Sequence, residues 1–178
     1  HFTDRRQRQM CIRDRYCMNT VMTVAAVAAF IILGGRKIAL STAPRGLRNN
    51  NPGNIRETTG SLWNGQTGTD GQFAIFGAPE YGIRAMSKLL MNYQALYGID
   101  TVRGLINRWA PPNENDTGAY IGHVAESLGV HPDQTIEVSE HLPGLVAVIT
   151  RHENGVQPYS DELINTGVAM ATEGYKNA

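Results

Sequence analysis

His141-Leu142-Pro143-Gly144-Leu145-Val146-Ala147-Val148-Ile149-Thr150-Arg151-His152-Glu153-Asn154-Gly155 has the pattern of a buried helix with a carboxylate at its far end. Leu142, Leu145, Val146 and Ile149 recur at helical spacing, and the next position on that stripe, one turn beyond Ile149, is Glu153. Pro143 suits a first helical turn, where its missing N–H is no loss, and Asn154-Gly155 supplies a left-handed stop. Burial beside aliphatic neighbours and the negative end of the helix dipole would both favour the protonated form of Glu153. A carboxyl kept protonated near neutral pH is what glycosidic cleavage requires, because the leaving oxygen must receive a proton. The plain alternative is a helix-end Glu paired with Arg151 or another base.

Helical patterning fills the chain on both sides of this segment. Pro79 opens a stripe of Ile83, Met86, Leu89/Leu90, Tyr93 and Leu96/Tyr97 that Gly98 closes. Thr101 caps a short helix with Val102, Leu105, Ile106 and Trp109 inward, stopped by Pro111-Pro112. Asp116 or Thr117 caps the next, with Tyr120, Ile121, Val124 and Leu128 inward and Gly129 at its end. A last helix begins near Ser160. Upstream, the turn-forming residues of Arg45 to Arg56 predict an ordered polar loop, not a helix. Ile55 to Leu62, Asn64-Gly65 and Gln72 to Phe76 predict a small β-hairpin lobe. The expected fold class is α+β: a mainly helical, lysozyme-like domain over residues 45–178 with a hairpin lobe, preceded by one N-terminal hydrophobic helix.

The N-terminal region stands apart. Arg5-Arg6-Gln7-Arg8-Gln9-Met10-Cys11-Ile12-Arg13-Asp14 back-translates, with permitted codons, to CGT CGG CAG CGT CAG ATG TGT ATA AGA GAC, which resembles a tagmentation adapter. Residues 1–17 are therefore expected to be a sequencing artefact and Met18 the natural start. Without them, eleven basic and fourteen acidic residues remain, and both cysteines are gone. A nucleic-acid partner, disulfides and thiol chemistry are then not expected. Residues 18–35 carry no charge and are apolar from Val21 to Leu33 apart from Thr23, which predicts an uncleaved hydrophobic anchor at the lower limit of bilayer length, the alternative being a cleaved signal-like segment. A linker over residues 36–44 follows. Arg36, Lys37, Arg45 and Arg48 would keep the downstream domain cytoplasmic until assembly or lysis.

Three stretches carry a resemblance to known proteins: Arg45-Gly46-Leu47-Arg48-Asn49-Asn50-Asn51-Pro52-Gly53-Asn54-Ile55, Arg108-Trp109-Ala110-Pro111-Pro112-Asn113-Glu114-Asn115-Asp116-Thr117, and Arg151-His152-Glu153-Asn154-Gly155-Val156-Gln157-Pro158-Tyr159. Together they resemble a family of phage and prophage virion structural proteins, which implies placement in a virion or host membrane among other virion proteins. Asn50 to Arg56, Trp63-Asn64-Gly65, Phe73 through Arg84, and Leu89-Leu90 resemble the middle of bacterial wall glucosaminidases. In those enzymes the catalytic Glu precedes this block, whereas Glu153 follows it, so this second resemblance implies a circularly permuted order acting on peptidoglycan glycan strands.

On that reading Glu153 is the general acid, and Glu57 and Asp70 are candidates for the second carboxylate that muramidase-type hydrolysis uses. A lytic transglycosylase needs only the one acid, because the sugar's own hydroxyl closes the ring. Trp63 and Phe73 could stack on sugar rings, while Tyr120, Tyr159 and Asn54 could orient substrate. Trp109 suits stacking or helix packing equally. His123, His131, His141 and His152 lack metal-ligand spacing, so no metal or cofactor is expected.

Overall fold

The computed structural model describes residues 43–57, 62–111 and 116–173. The expected adapter segment, the apolar segment at 18–35 and residues 36–42 of the linker lie outside these. Among the described residues no helix is long and apolar enough to cross a membrane. The elements are α1 (Arg45–Arg48), β1 (Gln66–Thr69), β2 (Ala74–Phe76), α2 (Pro79–Tyr97), α3 (Val102–Trp109), α4 (Thr117–Leu128), α5 (Val138–Asn154) and α6 (Asp161–Thr172). The architecture is mostly helical with one small two-stranded antiparallel sheet, as an α+β class requires.

Local chemistry sets most helix ends. The Thr101 hydroxyl accepts from Gly104 N–H at 3.1 Å, the Asp116 carboxylate from Ala119 N–H at 3.3 Å, and the Ser160 hydroxyl from Leu163 N–H at 3.2 Å. Gly98, Gly129 and Gly155 take left-handed conformations at the C-terminal ends of α2, α4 and α5. The faces so defined bury Ile83, Met86 and Leu90 of α2, Leu105 and Ile106 of α3, and Val124 of α4 against Leu142, Leu145 and Ile149 of α5. α6 packs mainly on α2, where Gly167 admits the side chain of Ile83.

Three expectations are corrected. α5 starts at Val138, before His141, so Pro143 lies inside the helix. Glu137 caps this earlier start, and Ile136 N–H donates to Asp100 O at 2.8 Å, fixing the approach. The carbonyl that the missing proline N–H would have served belongs to exposed Ser139, where water can reach it. Second, the polar stretch opens with one helical turn, Arg45–Arg48, before the asparagine-rich loop.

Third, the hairpin is formed by β1 and β2, not by a strand over Ile55 to Leu62. From that stretch the described residues contribute only the bridge of Arg56 to Phe73, and residues 58–61 are outside the description. Asn64-Gly65 precedes β1 instead of turning the hairpin. Gly65, at φ 78°, lets the chain press on the Tyr81 ring. The turn itself is Asp70-Gly71-Gln72, where the Asp70 carboxylate accepts from the N–H groups of Gln72 at 3.2 Å and Phe73 at 2.9 Å. Asn64-Gly65 makes a separate turn ahead of β1, with Gln66 N–H donating to Trp63 O at 2.9 Å. The register of the short sheet shifts between Gln66 and Gly68, as at a β-bulge.

Candidate functional site

The asparagine-rich loop is organised by its own side chains. Asn51 is fully buried and bonds the backbone three times: Nδ2 donates to Ile55 O and Ala74 O, and Oδ1 accepts from Ile55 N–H, each at 2.9 Å. Asn50 and Asn54 adopt left-handed φ values of 50° and 48°, which asparagine tolerates better than most residues. This turns the loop back over the C-terminal end of α5. Asn154 Nδ2 secures it there, donating to Pro52 O at 2.8 Å and to Thr150 O at 3.0 Å.

Glu153 lies in the last turn of α5, partly exposed. Asn54 Nδ2 donates to its Oε2 at 3.1 Å, and Trp109 Nε1 donates to its Oε1 at 3.2 Å. Burial pushes the carboxyl above its ordinary pKa, and these two donors pull it part of the way back. Both donors are neutral, so nothing bonded to Glu153 demands that it be ionised. Gly53 brings the loop backbone onto the indole, since a Cβ there would lie 2.8 Å from Trp109 Cζ2. One residue from each of the three motif stretches therefore meets at this carboxyl.

The neighbouring His152 stacks on Tyr120, with ring centroids 3.4 Å apart and planes at 10°. Tyr120 is only 1% exposed, so its ring serves the core and cannot present a face to a ligand in this arrangement. Burial, with a smaller contribution from His123, lowers the His152 pKa to about 4, leaving a neutral imidazole beside Glu153 near pH 7.

Asp70 has a different setting. Arg45 grips it through Nε at 2.6 Å and Nη2 at 2.8 Å, and Asn49 Nδ2 donates to it at 2.7 Å. The guanidinium beside it holds its carboxyl far below the usual range. Glu57 is exposed and accepts from the Thr69 hydroxyl at 3.1 Å. Phe73 is approached by the guanidiniums of Arg45, 4.5 Å from the ring centroid, and Arg56, at 5.9 Å. Trp63 is partly buried against the core. The Tyr159 phenol is pushed up to about 12 by burial and by the charge of Glu80.

The structure thus joins Glu153 with Asn54 through a side-chain hydrogen bond and places Tyr120 one stacked ring away through His152. It ties Asp70 and Phe73 into the hairpin lobe with Arg45. Two surface depressions, one lined by Glu80, Ser160, Glu162, Leu163 and Thr166 and the other by Met91, Gln94, Ala95, Glu137 and Ser139, do not include Glu153. Among the described residues no group of three or more His, Cys, Asp or Glu could hold a metal ion. Sequence reasoning missed Trp109 as a partner of Glu153; its place in one of the three motif stretches was the available signal.

No family model matches the chain. Over 132 residues it is 39% identical to Protein P5 of Pseudoalteromonas phage PM2, an alignment covering 72% of this chain and 82% of that protein. Identity at that level, sustained over most of both proteins, is membership: the chain belongs to the family of the phage PM2 protein P5.

Proposed function

We propose that this is a component of a phage particle whose Glu153 donates a proton to the glycosidic oxygen of peptidoglycan glycan strands, in the manner of a muramidase, glucosaminidase or lytic transglycosylase. One observation carries the reading. A partly exposed acid, kept toward its neutral form by burial, is fixed in orientation by two neutral N–H donors from distant segments. Trp63, Phe73 and Tyr159 are the proposed sugar-contacting groups, with Glu57 as the accessible second carboxylate. Other particle proteins are the proposed partners, and residues 21–33 the proposed membrane attachment.

A second reading is a non-catalytic particle protein that binds glycan or a capsid partner through the same surface. The settings of the two acids favour it, because Asp70 is consumed by Arg45 and both oxygens of Glu153 already accept internal bonds. Release of soluble muropeptides from purified wall by the purified protein decides between them. The catalytic reading expects release from the wild type and a loss of at least about a hundredfold in Glu153→Gln, as removal of an essential proton donor produces. Undiminished release by the variant would remove Glu153 from the chemistry. Wall that is bound but never cut, by wild type and variant alike, establishes the binding reading.

A further inference from the structure

Glu153 is supported by segments 99 and 44 residues away in the chain, and neither segment brings it a charge. We propose that Asn54 and Trp109 are positioning residues, a two-point clamp that aims the Glu153 proton and holds the carboxylate left when that proton departs. The proposal rests on Glu153 being the proton donor of the reading above.

Each carboxyl oxygen offers two lone-pair directions, and one on each is filled by an N–H, from Asn54 on Oε2 and from Trp109 on Oε1. The proton is confined to the directions that remain. In the step served, the Glu153 O–H bond breaks and its electron pair stays on the carboxylate. The proton bonds to the leaving glycosidic oxygen, which also takes the electron pair of the breaking C–O bond. A ring-oxygen lone pair compensates the anomeric carbon until water, or the sugar's own hydroxyl with loss of its proton, bonds to that carbon. Both N–H donors then face a full negative charge in a partly desolvated place, where hydrogen bonds to an ion are stronger than to the neutral group. An arginine in either position would hold the acid ionised beforehand, as Arg45 does for Asp70. Neutral donors assist the departing proton without removing it in advance.

The surroundings are shaped for this clamp. Asn54 sits at φ 48°, and its carboxamide reaches Glu153 from that left-handed turn. Gly53, directly before it, is the seat of the indole: an added Cβ would lie 2.8 Å from Trp109 Cζ2 and from Met86 Cε. Asn154, directly after the acid, fastens the same loop through Pro52 O at 2.8 Å. Loop, indole and helix end are thus fixed to one another at the carboxyl.

The test follows the Glu153 carboxyl by carbon-13 NMR in the full chain, its signal identified by disappearance in Glu153→Gln, alongside the pH profile of wall solubilisation. Trp109→Phe removes the N–H and keeps a ring; Asn54→Gly removes the carboxamide and keeps the left-handed φ. Each variant is expected to raise the Glu153 midpoint by about one pH unit. Each should move the alkaline limb of the rate profile equally and lower kcat with KM little changed. Gly53→Ala, which leaves both donors in the chain but displaces the indole, should reproduce the Trp109→Phe shift. It also serves as the second arm if Trp109→Phe does not fold. A midpoint unmoved in folded Asn54→Gly and Gly53→Ala overturns the clamp, as does a midpoint that moves without the rate profile following. Shifted midpoints with a wild type that never solubilises wall would instead overturn the glycan-cleavage reading and retain the carboxylate contacts.

Discussion

The corner at the end of α5 and the turn of the hairpin each hold one carboxylate by several hydrogen bonds, yet they push it in opposite directions. Asp70 receives a guanidinium, an amide and two backbone N–H groups at the surface, so its charged form is favoured. Glu153 receives only an amide and an indole N–H in a more buried setting, so desolvation outweighs them and its neutral form gains. The number of bonds does not decide the outcome; the charge of the donor and the access of water do. Of these two carboxyls, Glu153 is the one whose surroundings favour the neutral, proton-carrying form.

The corner should depend on the helical body and the turn on its own local contacts. Ile149, fully buried one turn below Glu153, provides the strongest test. Ile149→Ala is expected to cost about 3 kcal/mol by loss of apolar contact and creation of a cavity. Urea unfolding reads that loss, while the Asp70 carboxyl signal should stay where it is. A parallel displacement of Asp70 would show that the two regions are one cooperative structure.

A smaller effect is expected at Gly46, because α1 touches both regions: Arg45 serves Asp70, and Gly46 lies under the amide oxygens of the corner. A Cβ at Gly46 would lie 2.8 Å from Asn51 O and from Asn54 Oδ1, and closer still to Asn154 Oδ1. Gly46→Ala should therefore destabilise the protein by about 1–3 kcal/mol through overpacking. Its distinguishing readout is the Glu153 midpoint, which should rise as Asn54 is displaced. If Gly46→Ala leaves that midpoint fixed, the corner is less tightly coupled to α1 than its contacts imply.

The helical body was legible in the sequence because its signals are local. Thr101, Asp116 and Ser160 cap where hydroxyl and carboxylate chemistry says they should, and Gly98, Gly129 and Gly155 end helices by a conformation glycine favours. The stripe from Leu142 to Glu153 likewise identified the acid at the end of a buried face. Its beginning was less legible, because Pro143 is a strong start signal and Glu137 a weak cap. The hairpin register was misread for a similar reason. Asn64-Gly65 is a favoured turn dipeptide and does turn the chain, but ahead of β1. The hairpin turn is made by Asp70 through bonds from Gln72 and Phe73 N–H, with Arg45 and Asn49 reaching the same carboxylate from distant positions. Least legible were the partners of Glu153, since no periodicity links a loop asparagine and an indole to a helix end across 99 and 44 residues.

The gentlest test reverses the sign of a pH dependence. For Asp70 the folded carboxyl titrates below its unfolded value, so its contribution to stability is present above the ordinary carboxylate range and is lost as pH falls through the lowered folded value. For Glu153 the folded carboxyl titrates above its unfolded value, so its contribution is full below the ordinary range and is lost as pH rises through the raised folded value. Unfolding free energies measured across the acid range for wild type, Arg45→Gln and Glu153→Gln separate the two. Subtracting Arg45→Gln from wild type should leave a difference that shrinks toward low pH; the Arg45–Asp70 pair is largely solvated, so that difference should be small. Subtracting Glu153→Gln should leave a difference that shifts against the wild type as pH rises, because the amide cannot acquire the charge that burial penalises. Two differences that change with pH in the same direction would mean that Glu153 is held as an ion like Asp70, and the neutral-acid reading of the corner would fail with it.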